Sequence, residues 1–290
     1  MAVTGLLARF GISAASAKVM DMPLAKRAAA APAPWMLLPM PDTGVERTSV
    51  PGRGGAIPVK RFLPRNPRAS AVPILFIHGG GWVAGGVDSL DYLCTHLCDR
   101  LGTTVTAVGY RLAPEHPFPA ALEDCEDALN ALLAQAPLVD VVGDSAGGNL
   151  TAALALLVRD RRAIRRQVII YPALDLTMAS PSIDPPRHGM TRRDLEKIIE
   201  RYRGQTAIDD PLISPLHAPD LRGLPPAVIV TADADPLRDD GFRYAERLRE
   251  AGVPLRFENY LGMPHGFLSL ASLCPAAPLC IELLVGELQA

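Results

Sequence analysis

The chain has 290 residues, of which 49% are hydrophobic and 21% charged, and its formal net charge is −2. That balance excludes an intrinsically disordered chain, and it provides no field strong enough to attract nucleic acid or an anionic membrane surface. A small-molecule partner is expected, and the length suits one large α/β core with an appendage.

Residues 1 to about 40 read as one or two helices ending in the proline-rich APAPWMLLPMPD. The opening MAVTGLLARFGISAASAKVM raises the question of a signal peptide. It has no basic residues ahead of its apolar part, however, and Arg9 interrupts that part early, so an amphipathic helix is the expectation. From Val45 the pattern changes to short segments bounded by Gly and Pro, such as GAIPVKRFLP, which predict antiparallel strands. The β-branched runs VPILFI, TTVTAVGYR, VDVVG, RQVIIYP and PAVIVTAD follow, separated by helical stretches such as SLDYLCTHLCDRLG, ALEDCEDALNALLAQ, GGNLTAALALLVRD and DGFRYAERLREAG. This alternation predicts an α/β sandwich: a mostly parallel sheet with helices on both faces. Asp175 to Gly223 breaks the alternation with Pro and polar residues and holds one clear helix, TRRDLEKIIERYRG, with Thr191 as its N-cap, so it reads as an insertion. The basic run RDRRAIRR, Arg159 to Arg166, is assigned to the C-terminal end of a helix, where cations complement the dipole.

Five cysteines, Cys94, Cys98, Cys125, Cys274 and Cys280, make a disulfide framework unexpected and point to a reducing, cytoplasmic compartment. Cys94, His96 and Cys98 raise the question of a metal. On a helix, though, His96 faces away from the two cysteines, and no second ligand pair follows at zinc spacing, so no metal is expected. No apolar stretch approaches transmembrane length.

The chemistry-bearing segments begin with IHGGGW, residues 77–82. Three adjacent glycines are costly in backbone entropy, so some requirement for a bare backbone must hold them there. The second segment is GDSAGGNL, residues 143–150, which follows the strand-like VDVV. Gly-x-Ser-x-Gly at a strand-to-helix junction is a nucleophile elbow, so Ser145 is the candidate nucleophile. The alternative, a phosphate-binding turn, lacks both the P-loop Lys-Ser/Thr pair and the Gly-x-Gly of a dinucleotide site. A serine hydroxyl needs a base, and the base needs an orienting acid. Of the three histidines after Ser145, His188 and His217 fall in the insertion, whereas His265 lies in GMPHGF after the strand-like LRFENY. For the acid, VIVTADADPLRDD offers Asp235 just past the strand, with Asp233 as the nearest rival.

Taken together, HGGGW, YRLAPEHPFPAALED, GDSAGGNL, YPALD, SPLHAPDLRGLPPAVIVTADADPLRD and GVPLRFENYLGMPHGF resemble the hormone-sensitive-lipase-like family of α/β-hydrolases, in its bacterial esterase branch. The match spans about residues 72 to 268. The resemblance implies an α/β-hydrolase fold with a helical cap, and a triad of Ser145, Asp235 and His265, which selects Asp235 over Asp233. It also implies a division into N-terminal cap helices (1–45), a core (46–175), a cap insertion (176–223) and the rest of the core (224–290). Two departures from the family pattern are visible: a shortened passage through APLVD before the nucleophile strand, and Ala234 where a bulkier or acidic residue is common.

The expected activity is hydrolysis of small short-acyl esters through an acyl-enzyme, without a cofactor. The oxyanion would be held by the N–H groups of Gly79, Gly80 and Ala146. His78, Gly81, Trp82 and Asp144 are expected to support the loop: His78 by bracing it, Gly81 by admitting a close backbone approach, Trp82 by lining the pocket or anchoring the loop, and Asp144 by ordering the glycines or capping the helix. An amide or acetylated substrate, and a ligand-binding protein without turnover, are the competing expectations. Trp35, Met36, Leu37 and Leu38 are candidates to close the pocket, and the sheet edge near LRFENY is a candidate surface for pairing two subunits.

Overall fold

The structure is a computed structural model that describes residues 22–184 and 190–290. The hairpin of β1 (Gly44–Gly52) and β2 (Gly55–Leu63) leads into six further strands: β3 (Ile74–Ile77), β4 (Val105–Val108), β5 (Val139–Asp144), β6 (Ile164–Ile170), β7 (Ala227–Ala234) and β8 (Leu255–Pro264). They form one eight-stranded sheet in the order β1-β2-β4-β3-β5-β6-β7-β8. The β1–β2 and β2–β4 pairings are antiparallel and all the others parallel.

The described α-helices are α1 (Leu24–Ala28), α2 (Asp91–Leu101), α3 (Ala120–Leu133), α4 (Ala146–Leu157), α5 (Arg192–Arg203), α6 (Arg238–Glu250) and α7 (Ala276–Gln289). The central strands are apolar throughout because both faces of the sheet are covered. Side chains alternate in direction along a strand, so Leu75, Ile77, Val141 and Ile169 enter one core and Ile74, Phe76, Val142 and Ile170 the other. The first core is closed by α3, α4 and α6, and α5 of the insertion packs on it as well. The second is closed by α2 and α7, whose Leu93, Leu97, Ile281 and Leu284 are buried there.

Three features differ from the sequence expectations. The basic run does not end a helix: α4 stops at Leu157, a 3₁₀ turn spans Arg159–Arg161, Arg162 is left-handed, and β6 begins at Ile164. Arg161, Arg165 and Arg166 instead meet carboxylates. Arg165 forks onto the buried Asp140 at 2.9 and 2.6 Å, and Arg166 meets Glu287 at 2.9 Å. A buried carboxylate such as Asp140 needs a counter-charge, and β6, the strand paired with β5, supplies it. Between residues 22 and 40 the chain holds only the five-residue α1 and one turn at Pro34–Met36, because its prolines interrupt helical hydrogen bonding. The signal-peptide question concerns residues outside the described ones. The third is α7, which follows β8 in a stretch where the sequence reading named no element.

The APLVD departure is a tight connection, with only residues 134–138 between α3 and β5. Ala234 closes β7, where it pairs with Pro264. The helix after Thr191 starts with a reciprocal cap: the Thr191 hydroxyl accepts from Asp194 N–H at 3.2 Å, and the Asp194 carboxylate accepts from Thr191 N–H at 3.1 Å. Among the described residues, no helix is long and apolar enough to cross a membrane.

Candidate active site

β5 ends at Asp144 and α4 begins at Ala146, so Ser145 alone makes the turn, with φ 55° and ψ −117°. A non-glycine residue held in such a conformation stores about 1–3 kcal/mol. Its neighbours explain how the turn fits. A Cβ on Gly147 would lie 2.0 Å from the Ile77 carbonyl oxygen, so only glycine lets α4 sit this close to β3. The Ser145 N–H donates to the Ile170 carbonyl at 2.8 Å, which ties the turn to β6.

Asp235 directly follows β7 and His265 directly follows β8, so all three side chains emerge at the C-terminal ends of parallel strands. Ser145 Oγ is 2.8 Å from His265 Nε2, and His265 Nδ1 is 2.7 Å from Asp235 Oδ2. A carboxylate only accepts, so the ring proton belongs on Nδ1, leaving Nε2 free to accept from the serine hydroxyl. Asp235 is fully buried, and its other oxygen accepts from the Leu237 N–H at 2.8 Å. Burial alone would lower the His265 pKa, but the charge and hydrogen bond of Asp235, with the charge of Asp144, outweigh it and leave the imidazole above its ordinary value. Asp233 is turned to other partners, Arg238 at 3.4 Å and the Gly262 N–H at 3.3 Å. His217 is engaged by Asp175 at 2.9 Å, and His188 lies outside the described residues.

The glycine loop is divided differently from the sequence expectation. The Gly79 N–H donates to Asp144 Oδ1 at 2.8 Å, so this donor is committed to a carboxylate rather than open to an oxyanion. The N–H groups of Gly80, Gly81 and Ala146 engage no acceptor among the described residues, and all three line the cavity with Ser145. Among the described residues, the N–H groups left without an acceptor beside Ser145 are therefore those of Gly80, Gly81 and Ala146, and Gly79, expected as an oxyanion donor, is committed to Asp144. Counting glycines cannot reveal this, because it depends on where Asp144 points. Burial raises the Asp144 pKa to about 6. Gly80, at φ 117°, bends the loop so tightly that a Cβ would meet the Ala84 carbonyl at 2.1 Å.

His78 is buried away from the reacting side chains. Its Nδ1 is 2.7 Å from the Gly79 carbonyl, its ring stacks on Tyr110 at 4.1 Å, and burial lowers its pKa to about 4, which keeps it neutral. Trp82 does both things considered for it, since it lines the cavity and stacks at 4.1 Å on Tyr202 of α5. Sequence reasoning passed over Tyr171, noting it only within YPALD. It lies just past β6 at φ 35°, with its ring edge-on to His265 at 5.0 Å and its hydroxyl 3.5 Å from Asp144.

Above Ser145 opens a cavity of about 440 Å³ with mostly apolar walls, among them Met36, Trp82, Met178, Met190, Leu195 and Ile198. Of the four residues expected to close it, only Met36 lines it. Leu37 and Leu38 pack on the second core, and Trp35 is 55% exposed. Cys94 and Cys98 are buried thiols and His96 packs edge-on against Tyr92, so these side chains do not converge. Among the described residues, no group of three metal-ligating side chains is assembled.

The model of the α/β-hydrolase fold family matches residues 74–269. The carboxylic ester hydrolase LipN of Mycobacterium tuberculosis is 40% identical over 258 residues, covering 81% of this chain and 68% of its own. The ethyl acetate hydrolase of Pseudomonas putida is 36% identical over 251 residues, covering 81% and 79%. Among solved structures, the esterase of Pyrobaculum calidifontis superposes with a TM-score of 0.80 at 32% identity, covering 100% of this chain and 93% of its own. The Ser-His-Asp relay thus stands on a scaffold shared with esterases over most of the chain, and the chain belongs to the hormone-sensitive-lipase-like branch of the α/β-hydrolase family.

Proposed function

We propose that this carboxylic ester hydrolase cleaves small, uncharged, short-acyl esters through a covalent acyl-serine. The observation that carries the proposal is the relay of 2.8 and 2.7 Å through Ser145, His265 and Asp235 at the floor of an apolar cavity. Ser145 Oγ attacks the ester carbonyl carbon while its proton passes to His265 Nε2, and Asp235 stabilises the resulting imidazolium. The tetrahedral oxyanion is held by the N–H groups of Gly80, Gly81 and Ala146. Collapse of this intermediate expels the alcohol, which takes the proton from Nε2. Water then attacks the acyl-serine, giving its proton to His265, and the acid leaves as Ser145 recovers its own.

The cavity supports the substrate class. Its described walls are largely apolar, with methionine, leucine and isoleucine among glycine and alanine and no lysine or arginine among the described lining residues, and about 440 Å³ is small for a long-chain lipid. The described parts of 1–45 and 176–223 act as the cap, since Met36, Leu195, Ile198 and Ile199 from these stretches line the cavity. A series of p-nitrophenyl esters from acetate to decanoate, run beside matched anilides, tests the reading. Highest kcat/KM at acetate to hexanoate, with anilides far slower, is the expected result. A preference for decanoate or for the anilides would overturn it.

A further inference from the structure

We propose that Arg27 is a positioning residue for the oxyanion loop, so that the N-terminal segment acts on the rate of the chemical step and not only on the shape of the pocket. The inference rests on the hydrolytic reading given above.

Arg27 is 2% exposed, unusual for an arginine on a short helix near the start of a chain. Its guanidinium reaches two separate backbone stretches. Nη1 donates to the carbonyl of Val83 at 2.8 Å and to that of Ala113 at 2.9 Å. Nη2 forks onto Glu115 at 2.5 and 2.6 Å, which balances the charge, and Nε donates to Met22 at 3.0 Å. Its backbone takes part as well, because the Arg27 carbonyl accepts from the Gly85 N–H at 2.9 Å. Three residues on, the Ser89 hydroxyl donates to the Ala30 carbonyl at 3.2 Å. The segment is therefore laid along residues 83–89.

Those residues form the outer half of the turn whose inner half faces Ser145. The Gly80 carbonyl accepts from the N–H groups of Val83 and Ala84 at 3.2 and 3.0 Å, so Val83 and Gly80 belong to one closed turn. Ala113, the second anchor, donates its own N–H to the Trp82 carbonyl at 2.9 Å. Arg27 thus holds the loop from behind at Val83 and, through Ala113, at Trp82. An oxyanion hole works only if its donors are fixed before charge develops, and a shift of about 1 Å in such a group can cost about a hundredfold in rate. Lysine cannot replace this arrangement, because a single ammonium lacks the planar fork that reaches two carbonyls and a carboxylate together.

The test compares the wild type with Arg27→Ala, Arg27→Lys and Ser145→Ala, using p-nitrophenyl butyrate, with and without added methylguanidinium. Folding is checked by circular dichroism and thermal melting. For folded Arg27→Ala, kcat is expected to fall by at least about tenfold, with KM within about threefold of wild type and partial recovery of kcat when methylguanidinium is added. Arg27→Lys keeps a buried cation and so remains the reference if the alanine variant does not fold; its kcat is expected to fall by a smaller factor. An unchanged kcat in either folded variant, or an effect confined to KM, would overturn the proposal. Hydrolysis retained by Ser145→Ala would instead defeat the hydrolytic reading, whatever the Arg27 variants do.

Discussion

At the scale of single residues, the distribution of hydrogen bonds separates side chains that lie close together in sequence. Asp235 and Asp233 lie two positions apart on the same strand end, yet only Asp235 meets the imidazole. Asp235→Asn is therefore expected to lower kcat/KM by a factor on the order of 10⁴, because the amide favours the wrong imidazole tautomer, while Asp233→Asn should change it by less than about tenfold. Purified variants assayed on one ester separate the two. His265 also sets the pH dependence. Attack needs the neutral ring, and the neighbouring carboxylates favour the charged one, so kcat/KM should rise with pH along an acid limb whose midpoint lies above the ordinary 6.5. Asp235→Asn should move the midpoint of its residual activity downward, and a pH–rate profile shows whether it does. Asp144 offers a third check. Asp144→Asn keeps an oxygen acceptor for the Gly79 N–H, whereas Asp144→Ala removes it, so the alanine variant should lose more kcat, by roughly tenfold or greater. Ser145 and His265 were legible in the sequence because a nucleophile elbow and a His-Gly turn are local patterns. The commitment of the Gly79 N–H was not, since it turns on a bond between residues 79 and 144.

At the scale of elements, α5 joins the cap to the catalytic loop. Tyr202 stacks on Trp82, and Ile198 packs so closely that a Cβ on Gly81 would lie 2.8 Å from its Cγ2. Leu195 and Ile198 line the cavity, so Leu195→Ala should enlarge it and raise the ratio of hexanoate to acetate turnover several-fold. Its cost in stability should lie near the lower end of the usual ~2–5 kcal/mol, because one side of Leu195 faces the cavity and not close-packed core. A ratio that stays flat would place the acyl chain elsewhere. Thr191→Ala removes the hydroxyl cap of α5 and should destabilise this helix by about 1 kcal/mol, visible as a lower melting temperature. The Thr191 cap was readable from sequence because capping is local: it is completed within four consecutive residues, Thr191 to Asp194. The basic run was not, because Arg159 to Arg166 is divided between a 3₁₀ turn and β6, and what directs Arg165 is the buried Asp140 on a neighbouring strand.

At the scale of the whole molecule, one sheet collects side chains separated by 120 residues of sequence, from Ser145 to His265, at the C-terminal ends of β5, β7 and β8. The parallel sheet was legible because short β-branched runs alternate with helical stretches and are apolar throughout, as strands buried on both faces must be. The far wall of the cavity was less so: it draws on residues 30–36, on Leu176, Met178 and Met190, and on α5, which meet only in the folded chain. Everything proposed about turnover depends on Ser145 being the nucleophile. The most direct measurement is the intact mass of the wild type and of Ser145→Ala after treatment with a p-nitrophenyl alkylphosphonate, followed by peptide mapping. One adduct per chain on the peptide carrying Ser145, formed in step with loss of esterase activity and absent from a folded Ser145→Ala, is the expected result. An adduct on another residue accompanying that loss, or a Ser145→Ala protein that still hydrolyses the ester at the wild-type rate, would contradict it.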